Sequence, residues 1–355
     1  MEPRSACQLT PDKGIILNHS TRTTLLVFAL ASAWTATAAE PAGGSSQTSS
    51  NSSASPTAPP IVADNSSAKP TNAMATAEKP MPLPLHEIEG NGGVFSTLSA
   101  YLVNPPRNGE PVGRPSVGFG YIDIGHGRDL AAWTLTETPW KRLELGFGYD
   151  RLDLGDLPTE IAAQDKIVIN NTLGLYNANA RLQILQEGQF DQKWLPAITA
   201  GIHYKYNDGV SQINNQLGGA LDAMGLSHDQ GLDYTLYASK MLTFLPRPVL
   251  VNLGGRATKS AELGLLGFTD HYSFVFEGSI VALLTDKFVV AGEYKQQPRG
   301  FNSSSLIGAP DDWWTLDAGY VINRHMTFAV GYGHFGTVAN HAANGVWGLT
   351  TKWEF

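Results

Sequence analysis

The chain has 355 residues, with 24 basic against 32 acidic side chains and a formal net charge of −8. This acidic balance argues against nucleic-acid binding, which depends on basic side chains that neutralise phosphates. No apolar stretch reaches the roughly 18 residues of a transmembrane helix, so a helical membrane bundle is excluded. The single cysteine, Cys7, excludes a disulfide framework. With 37 glycines and 16% charged residues, the composition favours turn-rich β structure.

Residues 1–38 have the three parts of a secretory signal peptide. Arg22 precedes the apolar run Leu25–Trp34, and Ala36-Thr37-Ala38 follows as a cleavage motif. A single membrane anchor is the alternative, but about ten apolar residues are too few to cross a bilayer. Residues 39–84 are rich in Ser, Pro, Ala, Thr and Asn, which predicts a disordered periplasmic linker. One domain, residues 85–355, remains.

From residue 115 onward the sequence alternates with period two, as strands with one apolar face do. A soluble sandwich would bury the apolar face, whereas a membrane barrel turns it to lipid. The connections alternate in length and the opposite face holds glycine and both signs of charge, which favours the barrel. Aromatic residues also collect near strand ends, as interface girdles do: Tyr121, Tyr149, Tyr204, Tyr206, Tyr272, Tyr294, Trp314, Tyr332 and Trp353.

The predicted fold is therefore all-β, an antiparallel up-and-down transmembrane β-barrel of about 12 strands in the outer membrane of a Gram-negative bacterium. An even number of strands would place both termini in the periplasm. The predicted strands are 115–123, 129–137, 142–151, 172–185, 195–206, 231–242, 248–258, 272–284, 287–295, 312–322, 325–334 and 346–355.

Residues 85–108 do not fit an even number of strands. The stretch 94–103 follows Gly90-Asn91-Gly92-Gly93 and is interpreted either as a lumenal plug or as an extra strand. A barrel of fourteen strands is the further alternative.

The C-terminal Trp-Glu-Phe resembles the outer-membrane assembly signal, which implies the barrel-assembly machinery as a partner and outer-membrane lipid as the surroundings. The residues that carry this resemblance are Trp347, Leu349, Trp353 and Phe355. Other stretches resemble one family of bacterial secreted proteins of unknown function that are regarded as outer-membrane proteins, and the similarity covers most of 85–355. They include HEIEGNGG (86–93), RLELGFGYDRLDLGD (142–156), FDQKWLPAITAGIHYKYND (190–208) and DDWWTLDAGYVINRH (311–325). The resemblance implies the barrel and transfers no catalytic residue.

No catalytic, cofactor or metal motif stands out. Gly331–Gly336 matches GxGxxG, but it lies on a strand that runs into a loop, without the helix that a pyrophosphate needs. Outer-membrane phospholipases are also twelve-stranded barrels with a lipid-facing serine and histidine. Here His203 and His325 fall on the lumen face, and an H-x-S-N-G motif is missing, so an enzyme is only a remote alternative. We therefore expect no enzyme activity, cofactor or metal.

Five histidines fall in or beside the predicted outer loops. A metal or proton-sensing site at the mouth is one interpretation, and ordinary polar residues of solvated loops are the other, which we favour. These histidines are His126, His228, His271, His334 and His341.

Strand parity predicts seven cations and seven carboxylates that point into the lumen. Such a balance predicts weak ion selectivity, and cross-lumen salt bridges could also close the pore. The cations are Arg142, Arg181, Lys205, Arg256, Lys287, Lys295 and Lys352, and the carboxylates are Glu144, Asp150, Asp233, Glu277, Glu293, Asp317 and Glu354.

Two function classes remain. One is a narrow, weakly selective channel or passive transporter for small solutes, because twelve strands leave little room. The other is a closed structural or interaction barrel that binds a partner through its loops or N-terminal tail. Inward glycines favour the pore, and a plug formed by 85–103 favours the closed barrel.

Overall fold

The computed structural model describes residues 85–107, 109–304 and 306–355. The predicted signal peptide and linker lie outside these residues. Twelve antiparallel strands, β3–β13 and β16, form one closed barrel, and β1–β2 and β14–β15 are separate hairpins. The strands are β1 Leu85–Glu87, β2 Asn91–Gly93, β3 Ser116–Gly125, β4 Arg128–Trp140, β5 Leu143–Leu154, β6 Thr172–Leu185, β7 Ala197–Asp208, β8 Gln230–Leu242, β9 Val249–Ser260, β10 Phe268–Leu283, β11 Phe288–Lys295, β12 Trp313–Val321, β13 Met326–His334, β14 Thr337–Val338, β15 His341–Ala342 and β16 Val346–Glu354.

The barrel is up-and-down, as predicted, because each barrel strand pairs with its neighbours along the chain. The first and last strands close it, with Trp347 opposite Asp123 and Glu354 opposite Ser116. One irregularity interrupts the β9–β10 ladder between Phe268 and Ser273. This start of β10 lies before the predicted 272, so the loop from β9 is shorter than expected.

The burial pattern is inverted relative to a soluble protein. On the outer face, the apolar side chains of Leu236, Leu253 and Leu316 are 56%, 63% and 61% exposed. On the inner face of the same strands, charged residues such as Asp233 and Arg256 are 0% and 2% exposed. An apolar outside and a polar inside suit a barrel whose surroundings are lipid. The prediction of a transmembrane barrel rather than a sandwich is confirmed.

The two ends of the barrel differ. At the turn end, the strands are joined by 141–142, 186–196, 243–248, 284–287 and 322–325. At the loop end, they are joined by 126–127, 155–171, 209–229, 261–267, 296–312 and 335–345. Phe355 lies at the turn end, where its backbone N–H donates to the carbonyl of Pro115 at 3.2 Å.

Short helices fold within the loop end: α1 Leu157–Asp165, α2 Val210–Gln216 and α3 Ala220–Ala223. Pro158 lies in the first turn of α1, where its missing N–H is tolerated, and Lys166 ends the helix in a left-handed conformation. Among the described residues, no helix is both long and apolar enough to cross a membrane.

Candidate functional site in the barrel lumen

Residues 85–103, here called the plug, lie inside the barrel, and residues 86–103 are almost entirely buried. They form the β1–β2 hairpin and a following irregular stretch, and they pair with no barrel strand. Neither an extra strand nor a fourteen-strand barrel is therefore present among the described residues. Gly113 lies against Thr138 at the turn end, so the chain leaves the lumen there before it enters β3.

Glycines make room for the plug on both sides of the contact. Gly90 has φ +85°, and a Cβ there would also lie 2.5 Å from the Phe147 carbonyl oxygen. On the wall, a Cβ at Gly146 would lie 2.1 Å from the Gly90 carbonyl, and one at Gly348 would lie 2.4 Å from the Phe95 ring. The sequence pattern of these inward glycines indicates a pore, but in the structure they allow close approach of the plug.

Glu144 of β5 and Arg181 of β6 hold the second half of the hairpin. The Glu144 carboxylate accepts from the backbone N–H of Gly92 at 3.2 Å and of Val103 at 2.7 Å. Arg181 donates to that carboxylate at 2.8 Å and to the Gly92 carbonyl at 2.9 Å, and it also bonds the Ser99 carbonyl. An ion pair on the wall thus fixes backbone groups of the plug.

Glu293 of β11 clamps the irregular part of the plug. Its carboxylate accepts from the backbone N–H groups of Phe95 at 3.1 Å, Ser96 at 3.0 Å and Thr97 at 2.7 Å, and from the Thr97 hydroxyl at 2.5 Å. Lys295 donates to the Ser96 carbonyl at 2.9 Å. Charge-assisted bonds of this kind are about twice as strong as neutral ones.

Glu89, at the tip of the plug hairpin, lies in a buried cluster of charges. Arg256 grips its carboxylate with two parallel bonds of 2.9 and 2.5 Å. Lys205 forms an ion pair with it, and the Asn177 amide donates to it at 3.2 Å. Two wall carboxylates complete the cluster, since Arg256 also contacts Glu277 at 2.9 Å and Asp233 at 3.1 Å.

An apolar cap covers the loop end. Side chains from loops on opposite sides of the barrel meet there around an apolar void of about 30 Å³. Lys205 donates to the Leu263 carbonyl of this cap at 2.9 Å, so it bonds both the plug and the cap. The void is lined by Leu154, Leu157, Ile169, Leu173, Val210, Ile213, Leu217, Leu221, Leu266, Leu306, Ile307 and Ala339.

Most of the charged residues that parity directed inward are buried, and two are not. Arg142 is half-buried in the β4–β5 turn, where it donates to the Ile184 carbonyl at 3.2 Å, and Lys287 is exposed beside the β10–β11 turn. Parity misplaces both because the strands begin one residue later, at Leu143 and Phe288. The buried remainder is five cations and seven carboxylates rather than seven of each: Arg181, Lys205, Arg256, Lys295, Lys352, Glu144, Asp150, Asp233, Glu277, Glu293, Asp317 and Glu354.

The principal residues missed from the sequence are on the plug. Strand parity does not reach Glu89, although two glutamates flank Ile88 just before a glycine-rich turn, which is unusual for a buried segment. Asn177 was also missed, since an uncharged inward side chain gives no signal of its own. Trp347, Leu349, Trp353 and Phe355 lie on the outer face and are 61%, 37%, 43% and 58% exposed. Their reading by an assembly machinery stays a prediction.

Two of the five loop histidines each contact a single carboxylate. His228 contacts Asp270 at 2.7 Å, His341 contacts Glu160 at 3.0 Å, and the His126 ring stacks on His341 with centroids 4.6 Å apart. In the part of the chain that the structure describes, three or more His, Cys, Asp or Glu side chains nowhere converge to hold a metal ion.

The closed barrel, its apolar outer face and its filled polar interior define a class, the transmembrane β-barrel proteins. Within that class, the chain belongs to the family described as "Protein of unknown function (DUF3034)", whose model matches residues 127–351. No curated protein matches the chain.

Several solved structures are similar at low identity. The NanC porin is 7% identical with a TM-score of 0.41 over 68% of this chain and 98% of that chain. An outer membrane channel from Pseudomonas putida F1 is 10% identical with a TM-score of 0.39, over 70% and 100%. Outer membrane phospholipase A from Escherichia coli is 10% identical with a TM-score of 0.31, over 68% and 97%. Values this low transfer neither activity nor substrate.

Proposed function

We propose that the protein is an outer-membrane channel for small solutes that rests shut, with the plug as its gate. The observation that carries this proposal is how the plug is held. Side-chain hydrogen bonds and ion pairs join it to the wall, and strand pairing with the barrel does not. The plug can therefore leave without breaking the barrel ladder, and water can replace the polar contacts that it gives up.

The wall that remains is suited to a water-filled path. Its buried charged side chains have both signs: Arg181 and Lys352 are examples of the cations, and Glu144 and Asp317 of the carboxylates. A narrow lumen gives a small conductance, and an excess of only two buried carboxylates over cations keeps its selectivity weak. The apolar outer face and the exposed aromatic residues on it, such as Tyr204 and Trp314, support an outer-membrane location, with both termini on the periplasmic side.

A closed interaction barrel is the second candidate, and three features favour it: the plug, the glycines that fit it and the apolar cap. Even without the plug, the packed loops would block the mouth unless they separate. The two candidates differ in one measurable property, because only the channel conducts when the plug is free to move.

An engineered disulfide tests the gate. The hydroxyl oxygens of Ser99 in the plug and Ser239 in β8 are 3.2 Å apart, so two sulfurs placed there lie within reach of a disulfide bond. Apart from Cys7, in the predicted signal peptide, the chain has no cysteine that could compete. In planar bilayers, the Ser99→Cys, Ser239→Cys protein should show small openings after reduction and none after oxidation.

The Ser239→Cys single variant is the matched control and should respond to neither treatment. Equal openings in the oxidised and reduced double variant would show that the plug is not the gate. A complete lack of openings in the reduced protein would reject the channel and favour the closed interaction barrel.

A further inference from the structure

Glu89 is the only plug carboxylate that contacts wall cations within the described residues, and its surroundings are those of a bound ligand. Its two oxygens meet a bidentate guanidinium from Arg256, the ammonium of Lys205 and the amide of Asn177. Lys295 lies 4.0 Å away. A planar guanidinium fork with added point charges is how proteins recognise carboxylates.

The wall side of this cluster carries an unbalanced charge. Arg256, Lys205 and Lys295 form ion pairs with only two wall carboxylates, Asp233 and Glu277. One positive charge is left over, and the Glu89 carboxylate neutralises it. Buried charges are tolerated only when they are paired, so this place on the wall requires an anion.

Two other carboxylates near Glu89 do not fill that role. Glu87 of the plug and Asp150 of β5 are both fully buried, but neither forms an ion pair within the described residues. The Glu87 carboxylate instead accepts from the backbone N–H of Glu89 at 3.0 Å. Glu87 therefore provides a matched control for Glu89, with the same side chain at almost the same depth.

We propose that Arg256, Lys205 and Asn177 form a binding site for the carboxylate of small monocarboxylate solutes, and that Glu89 occupies this site as an internal mimic. The inference rests on the proposed function and names its substrate class. A solute that replaces Glu89 supplies the missing anion and removes the bonds that hold the hairpin tip. Binding of the solute and release of the plug are then the same event.

Chemical rescue tests the site in the full chain. Glu89→Ala leaves a space lined by the cations and the amide, and acetate is the probe for it. The thermal unfolding of the barrel in detergent is followed by heat-modifiable migration. We expect Glu89→Ala to unfold at a lower temperature, and acetate at about ten times its dissociation constant to restore about 3 to 5 °C.

Acetamide, which has the shape of acetate without its charge, should restore nothing. The Glu87→Ala variant should not be stabilised by acetate, because its lost carboxylate contacted no cation. If Glu89→Ala fails to assemble, refolding is performed with each probe, and acetate alone should recover folded protein. Equal effects of acetate and acetamide, or equal rescue of the two variants, would overturn the proposal.

The rescue does not depend on conductance. If acetate fails to rescue Glu89→Ala but the protein conducts when the plug is free, the carboxylate site is rejected and the channel is kept. A successful rescue in a protein that never opens keeps the site and removes the channel.

Discussion

Glu262 shows how a single buried group ties stability to pH. It lies in the loop between β9 and β10, is 2% exposed and has a left-handed φ of 46°. Burial raises the pKa of Glu262 from an ordinary 4.5 to about 8, against the attraction of Arg128. Between these values the folded protein keeps a proton that the unfolded chain loses, so stability falls as the pH rises.

Replacement of Glu262 by Gln should remove this dependence. At pH 8 we expect Glu262→Gln to unfold at least about 3 °C above the natural protein. At pH 4 the two proteins should unfold at similar temperatures, because Glu262 is then largely protonated in both the folded and the unfolded chain. Thermal unfolding at the two pH values measures the difference. Asp222→Asn, at an exposed carboxylate, is the control, and an equal stabilisation of Glu262→Gln at both pH values would contradict this effect of burial.

At the same scale, sequence parity located the wall residues and not their partners. The inward direction of Glu144, Glu293 and Arg256 follows from period two, because lipid requires the alternate positions to be apolar. Their contacts with Gly92, Thr97 and Glu89 span 52, 196 and 167 residues and follow no periodicity. Contacts between residues far apart in the chain decide which polar group fills the lumen, and strand periodicity does not predict such contacts.

The strands were predictable as elements because the apolar outer face repeats in every one of them. All twelve barrel strands were located, and even the short strands β11 and β12 are within a residue of their predicted bounds. The three short helices were missed, since their buried side chains pack in a cluster of loop and strand-end residues that are far apart in the sequence. β10 begins at Phe268 and not at the predicted 272, because the irregularity after Phe268 interrupts its alternation.

The last strand carries the prediction that belongs to this scale. β16 closes the barrel against β3, and Phe355 follows it on the outer face. We expect Phe355→Asp to reduce the yield of folded, heat-modifiable barrel severalfold, because an unclosed edge leaves backbone groups unsatisfied in lipid. Phe355→Tyr should assemble normally. Normal migration and membrane yield of Phe355→Asp would count against this role.

Across the whole molecule, the plug and the cap close the barrel from opposite ends, and Lys205 connects them. Its ammonium contacts Glu89 of the plug and the Leu263 carbonyl of the cap. Asn207, two residues further along β7, donates to the Gly264 carbonyl at 2.7 Å. When the plug leaves, Lys205 loses its ion pair with Glu89. Its ammonium is then held less firmly beside the Leu263 carbonyl, so the cap is held less firmly too. The two closures should therefore loosen together.

Limited proteolysis can detect this coupling in the full chain. Glu293→Gln weakens the clamp on Phe95, Ser96 and Thr97 but touches no cap residue. We expect trypsin to cleave after Arg299, an exposed residue of the β11–β12 loop, severalfold faster in this variant, since cleavage follows local opening. Glu137→Gln, on the outer face of β4, is the control and should leave the rate unchanged. An unchanged rate in Glu293→Gln, with the plug shown to be loosened by faster disulfide reduction in the Ser99→Cys, Ser239→Cys background, would mean that the two closures open independently.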